Sequence, residues 1–171
     1  MKDFELLLIA ELVRNCRRSD SELAKVLHVS QPTVSRTRAK LEKQGLVDYN
    51  ASPNLVELGY KIMAVVFGKR NYEQHPEDVF QKAKGFVERH PSMIFVSDGS
   101  GFDNDRITIS IHKSYSDYST FMQEMRAEVK DIMSLESFLI DLTTENVLRP
   151  FSLKHLADDL KSQSSPHNRG K

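Results

Sequence analysis

The chain of 171 residues has a single cysteine, Cys16. One thiol excludes an internal disulfide framework and any cysteine-based metal cluster. Packing at the end of a first helix is the role expected of it. Tryptophan is absent, which carries no functional message. No run of about 18 apolar residues occurs, so no membrane span is expected. The N-terminus has no basic-then-apolar secretory pattern. Lys2 is followed at once by Asp3 and Glu5, and the Leu6–Ala10 run is short and amphipathic. The expected location is the cytoplasm.

Signatures of chemistry are missing too. His28, His75, His90, His112, His155 and His167 form no HxxxH or HxH pair, so no metal is assigned. Asp98, Asp103 and Asp105 do not meet the EF-hand pattern. Ser97, Ser100 and Ser110 show no nucleophile elbow, and there is neither a Walker loop nor a GxGxxG. No catalytic residue and no cofactor is assigned. The chain reads as a non-enzyme. Net charge is zero, with 24 Lys+Arg against 24 Asp+Glu, so any electrostatic attraction to a polyanion must be local. The hydrophobic fraction of 39% is adequate for a soluble core, and the length for one domain or two small ones.

One segment carries such a local charge. Between Arg14 and Lys43 there are eight basic residues against three acidic ones. The same stretch, Ser19 to Tyr49, is laid out as a helix-turn-helix. Ser19 and Glu22 have capping-box spacing, and Leu23, Ala24 and Leu27 share one helical face. His28-Val29-Ser30 breaks the pattern. Ser30 suits the N-cap of a second helix, where Pro32 is tolerated in the first turn. Val34 and Leu41 face inward, and Gly45 stops the helix. The outer face offers Arg and Gln for base edges and Lys, Ser and Thr for phosphates. The expected contacts with double-stranded DNA are Ser30, Gln31, Thr33, Ser35, Arg36, Arg38 and Lys40. A merely solvated hairpin has no need of caps, turn, apolar spine and Gly stop in this order.

The predicted organisation is α+β in two parts. Residues 1–50 form a winged helix-turn-helix, with helix one over Phe4–Cys16 and Leu46–Tyr49 as a short strand or wing edge. Residues 51–57, with Pro53, are a linker. Residues 58–147 read as β-α-β-β-α-β, a ferredoxin-like arrangement. Its parts are a strand from Tyr60 to Lys69, a helix from Pro76 to His90 with Val79, Phe80, Ala83, Phe86 and Val87 inward, and a strand from Met93 to Ser97. A loop from Asp98 to Asp105 follows, then an alternating strand from Arg106 to Lys113. In that strand Ile107, Ile109 and Ile111 oppose Thr108, Ser110 and His112. A helix from Ser116 to Met133 and a strand from Ser137 to Leu142 complete the set. Residues 148–161 carry a last helix with Phe151, Leu153, Leu156 and Leu160, and 162–171 read as a disordered tail. The helices cover one sheet face. The other, with Val65, Phe67, Ile94 or its neighbours and Leu139, needs a partner, most simply a second copy.

This order of parts resembles the Lrp/AsnC, or feast/famine, family of transcription regulators. The matching segments are SELAKVLHVSQPTVSR with LEKQGLVDY, LVELGYK, the glycine-rich loop before RITISI, and ENVLRPF, together about residues 3–155. The resemblance implies dimers joined through the βαββαβ sheets, higher assemblies built from them, and an amino-acid effector near the turn between strands two and three. Gly99, Gly101, Asp103 and Asp105 would line that site. Two features depart from the family pattern. Thr37 and Arg38 stand where the family has an Arg followed by an aliphatic residue, and the Gly-to-Asp loop is longer. Sirohaem decarboxylases resemble the same architecture, and His112 is the histidine an enzymatic alternative would use.

Overall fold

The computed structural model describes residues 2–71, 76–130, 132–145 and 147–164, with only the backbone at 76–80 and 82. The chain divides into two compact units, Met1–Ser52 with Arg149–Lys171, and Pro53–Leu148.

The first unit is helical. Helix α1 spans Asp3–Arg14, with Asp3 and Glu5 in its first turn and Arg14 in its last, all favourable to the helix dipole. Helix α2 spans Asp20–Leu27. The Ser19 hydroxyl accepts the Glu22 N–H at 3.3 Å, and the Glu22 carboxylate accepts the Ser19 N–H at 2.7 Å. Two otherwise orphaned donors are thereby satisfied. His28 closes α2 in the left-handed region, at φ 53°. Helix α3 spans Gln31–Lys43, capped by Ser30 and stopped by Gly45 at φ 66°. Leu8, Leu12, Leu23, Ala24, Val34 and Leu41 form the core of this unit.

The last helix, α6 (Leu156–Ser164), packs against α1 in this unit. Ala157 is fully buried there, while Phe151, Leu153 and Leu156 stay exposed. Charge makes the attachment. Glu11 is 1% exposed and meets Lys161 Nζ at 2.5 Å, Arg14 at 3.6 Å and Arg18; Arg14 also meets Asp158 at 2.5 Å. Residues 162–164, read as tail, are thus helical; 165–171 lie outside the described residues. The expected wing strand is not formed either. Residues 47–50 have no regular structure, because no strand among the described residues pairs with them. The Asp48 side chain instead accepts the Tyr49 N–H at 2.8 Å.

The second unit has β1 (Ile62–Arg70), α4 (Pro76–Arg89), β2 (Met93–Gly101), β3 (Asn104–His112), α5 (Tyr115–Val129) and β4 (Met133–Asp141). The sheet is antiparallel, in the order β2-β3-β1-β4. Ala64 and Val66 from β1, Phe86 from α4, and Tyr118, Phe121, Met122 and Met125 from α5 form the core. Ala83 and Val87 are partly buried as well. The expected inward placement of Val79 and Phe80 falls outside the described side chains.

Strand β3 is turned opposite to ordinary hydrophobic patterning. Thr108, Ser110 and His112 are the buried set, facing the helices, with Ala64 and Val66 on their side of the sheet. Ile107, Ile109 and Ile111 lie on the other face beside Met63, Val65 and Phe67. Phe138 and Phe95 extend that face across β4 and β2. Leu139, expected there, pairs with Ala64 and belongs to the helix side. An irregularity between Met93 and Phe95 makes Phe95 the partner of Ile109.

Polar groups packed between this sheet face and α5 are bonded to one another. His112 Nε2 lies 2.9 Å from Ser110 Oγ, and Tyr118 Oη lies 2.6 Å from Ser137 Oγ. No described helix is long and apolar enough to cross a membrane.

Candidate nucleic-acid interface

Helix α3 presents a distinct outer stripe. Val34 and Leu41 hold its inner side in the core. Pro32, Arg36, Ala39 and Lys43 stand opposite; Pro32 and Lys43 are exposed. Arg36 and Lys43, two turns apart on one face, have no side-chain hydrogen bond or ion pair among the described residues. Gln31 and Thr33 are exposed at the N-terminal end. Ser30 is engaged in the cap: its hydroxyl accepts the Thr33 N–H at 3.4 Å and lies 2.8 Å from Thr33 Oγ1.

Ser35, Arg38 and Lys40, also among the expected contacts, have partners elsewhere in the unit. Ser35 donates to Asp20 Oδ2 at 2.5 Å. Arg38 is turned inward to Asp20, Glu42 and Tyr49; its head does not extend outward to a phosphate, as its charge suggests. The reason is its place between Val34 and Leu41 on the helix. Lys40 keeps half its side chain exposed, with Nζ 2.5 Å from Glu5 Oε1. Lys43, two turns beyond Arg36, is absent from the expected contacts; its seven-residue spacing from Arg36 in the sequence was the available signal.

These pairs also shift protonation. The Ser35 hydroxyl and then Arg38 hold the Asp20 carboxyl below its ordinary range, against the opposing effect of burial. Burial alone would raise Glu11, but Lys161, Arg18 and Arg14 hold it low. The inner and outer sides of α3 are therefore chemically separate: fixed pairs inward, cation and hydroxyl donors outward.

The sequence model of the AsnC-type helix-turn-helix domain matches residues 2–42. Residues 2–42 are an AsnC-type helix-turn-helix domain. Solved structures extend the likeness to the whole fold. A transcriptional regulator of the AsnC family from Agrobacterium tumefaciens superposes with a TM-score of 0.75 at 18% identity, over 91% of this chain and 99% of that one. A transcriptional regulator from Neisseria meningitidis, solved as its L-Met complex, gives 0.74 at 16%, again over 91% and 99%. The leucine response regulatory protein of Mycobacterium tuberculosis gives 0.66 at 22%, over 85% and 94%. No curated protein matches the sequence significantly. The chain thus combines an AsnC-type helix-turn-helix domain with an overall fold similar to that of solved Lrp/AsnC-type regulators.

The segment expected to hold an effector has a different form in this structure. The predicted loop Asp98–Asp105 is a tight hairpin: β2 runs to Gly101, which pairs with Asn104. Phe102 and Asp103 turn the chain at φ 52° and 59°, as a two-residue hairpin turn of type I′ requires. A Cβ at Gly99 or Gly101 would meet nothing within 4 Å, so both border open space. Asp103 pairs with Lys69. Asp105 accepts the Arg70 N–H at 3.3 Å. Asp98 receives Arg106 Nε at 2.8 Å and lies 3.1 Å from Arg70 Nη2. Despite burial, these arginines hold the Asp98 carboxyl below its usual range.

On the helix side of β2, Ala83, Val87 and Val96 line a groove of about 390 Å³ that ends at Asp98 and Arg106. The expected effector residues therefore sit at the hairpin end, apart from this groove.

His112 lies inside the second unit. Its side chain is 1% exposed, packed against Tyr118 and Phe121. Burial lowers its pKa, opposed in part by Asp117 at 3.9 Å.

Proposed function

We propose that this regulator reads a specific duplex sequence as a dimer or higher homo-oligomer, with Arg36 at base edges and Gln31, Thr33 and Lys43 around it. The observation that carries the reading is the outer stripe of a helix whose inner face is locked into its domain. Ser30 serves as the cap and Lys40 as a shared cation that can exchange Glu5 for a phosphate. The isoleucine face of the second unit supports assembly. It is a contiguous apolar surface of the kind that soluble monomers rarely leave in water. Two copies present two recognition helices, and their half-sites are expected about one helical turn, or a multiple, apart.

Electrophoretic shift and anisotropy titration on the chain's own upstream DNA test this reading. A shifted complex with two protected half-sites is expected. A strictly monomeric protein that retards no DNA at low salt overturns it.

An amino-acid effector at the hairpin is the second part of the proposal. The Neisseria relative was solved with L-Met. Here Gly99 and Gly101 open outward and Asp103 and Asp105 already have cationic partners. A second protomer is therefore required to complete a pocket around the hairpin. The buried state of His112 favours a non-enzymatic protein over the sirohaem-decarboxylase alternative. Absorbance with and without added haem distinguishes the two.

A further inference from the structure

The residue that stands out on α3 is one its outer stripe does not use. Arg38 occupies the inner face, a turn from Val34 and less than a turn from Leu41, where amphipathic spacing calls for an aliphatic side chain. Its stem is covered, leaving the side chain 22% exposed.

Every nitrogen of its guanidinium is engaged. Nη1 lies 3.1 Å from Asp20 Oδ1 and 3.4 Å from the Arg18 carbonyl oxygen. Nη2 lies 3.4 Å from the Cys16 carbonyl oxygen. Nε donates to Tyr49 Oη at 2.8 Å, with Glu42 Oε1 at 3.3 Å. Tyr49 Oη in turn donates to Glu42 at 2.8 Å, and its ring centroid is 5.0 Å from the guanidinium carbon.

These partners come from three stretches of chain: the α1–α2 turn running into the start of α2, the last turn of α3 itself, and the segment after α3. A planar five-donor fork can join three such points at fixed angles, which an ammonium cannot. To neutralise a DNA phosphate, Arg38 must abandon Asp20 and two backbone carbonyls. Such partly buried acceptors are costly to leave unmade.

We propose that Arg38 is a positioning residue. It fixes the seating of α3 on α2 and ties Tyr49 back to the helix in place of a wing strand, and it does not contact DNA. This rests on α3 being the DNA-reading helix. The consequence is that Arg38 governs discrimination between sequences through the placement of Arg36, while contributing nothing to general attraction for phosphate.

The two roles separate in a salt titration. Removing a side chain that neutralises a phosphate lowers the slope of log K against log salt by about one and weakens all DNA alike. Removing one that only positions the helix keeps the slope and lowers the ratio of specific to random affinity. The full chain and its Arg38→Met, Arg38→Lys and Tyr49→Phe variants are titrated onto a site selected from random duplexes by the wild-type protein, and onto random DNA. Circular dichroism checks helix content.

Arg38→Met is expected to reduce the specificity ratio by about tenfold or more, within the span of a misplaced base contact, at unchanged slope. Arg38→Lys is expected to restore little. Tyr49→Phe, which changes no charge, should move the ratio the same way by less. Chymotryptic cleavage after Tyr49 should accelerate in Arg38→Met, a reading that needs no DNA. A slope reduced by about one with the ratio intact overturns the proposal. So does a ratio and a cleavage rate unchanged in all three variants. If Arg38→Met fails to fold, Tyr49→Phe decides by the specificity ratio and the slope. If the wild type binds no DNA, the proposed function fails, and Tyr49 cleavage still tests the clamp.

Discussion

Phe138→Ala should dissociate the proposed assembly while leaving the protomer folded. Phe138 lies on the isoleucine face, cross-strand from Val65, and is 64% exposed in the isolated protomer. With Val65, Ile109 and Phe95 it completes a row across all four strands. The helix-side core, built on Ala64 and Val66, does not include it. A phenylalanine buries roughly 150–250 Å², so about 100–160 Å² of Phe138 remains for a partner to cover. At ~25 cal/mol per Å² that is about 2.5–4 kcal/mol for each protomer, and twice that across a two-fold axis. Association converts only a fraction of such area into affinity. If half survives, the variant loses about 3 kcal/mol, or ~10²-fold in dimer dissociation constant. Sedimentation equilibrium over a concentration series measures this, with circular dichroism as the check on folding. A variant that dimerises as tightly as the wild type would show that this face is not the interface. A wild type that stays monomeric at tens of micromolar would remove the reasoning altogether.

Other expectations follow from the same geometry. Arg36→Ala should cost about 1–3 kcal/mol on the specific site and relax base choice there; equal losses on specific and random DNA, read by anisotropy, would contradict a base contact. Lys43→Ala should weaken all DNA alike and lower the salt slope by about one, and an unchanged slope would take Lys43 out of the interface. The second unit should respond to acid in an upper window besides the carboxylate range that both units share. The folded pKa of His112 is lowered by burial, so the unfolded chain binds its proton first. Stability of the second unit is present above about pH 6.5, the free-histidine value, and falls as pH drops below it. Asp20 and Glu11 are held low in the first unit. Their contribution is complete above about pH 5 and disappears as pH falls through the ordinary carboxylate range toward their folded values. Thermal melts from pH 8 to 3 should show both windows, and His112→Gln should remove the upper one; a single common window in the wild type would refute the assignment. Finally, an amino acid that binds the hairpin at ~100 times its dissociation constant should add about 2.7 kcal/mol, visible in a thermal-shift screen of the twenty amino acids. A flat response from all of them removes the effector.

The first unit was legible because its signals are local. Ser19 with Glu22, Ser30 with Pro32, and Gly45 each act within one turn of helix, and each stands where spacing placed it. Where partners came from afar, the sequence was ambiguous. Leu46–Tyr49 reads as a short strand or wing edge, yet a strand needs a neighbour, and Tyr49 bonds to Arg38 and Glu42 instead. The cluster Asp98–Asp105 has loop composition, yet pairing with β3 draws β2 out to Gly101 and overrides that preference. Arg38 had the charge of a DNA contact and the helical position of a core residue. Its position, with acceptors on three stretches of chain, prevailed.

Strand β3 shows how the fold and the proposed assembly bear on each other. Alternation identified which residues share a face, but not which face the helices take. Helix α5 settles this with polar partners: Tyr118 reaches Ser137 and packs edge-on against His112, while His112 bonds Ser110. A polar β3 surface is tolerable under α5 because its groups are satisfied there. Ile107, Ile109 and Ile111 gain no such cover from α4 or α5, which lie on the opposite side. Burial of apolar area is the main stabilising term available to a sheet, and here much of that area points away from the protomer's own core. A strand patterned in this way serves two interiors, a bonded one under the helices and an apolar one that a second copy of the sheet completes. Dimerisation in this reading is part of the folding energetics, so dilution should lower the melting temperature of the second unit together with the population of dimer.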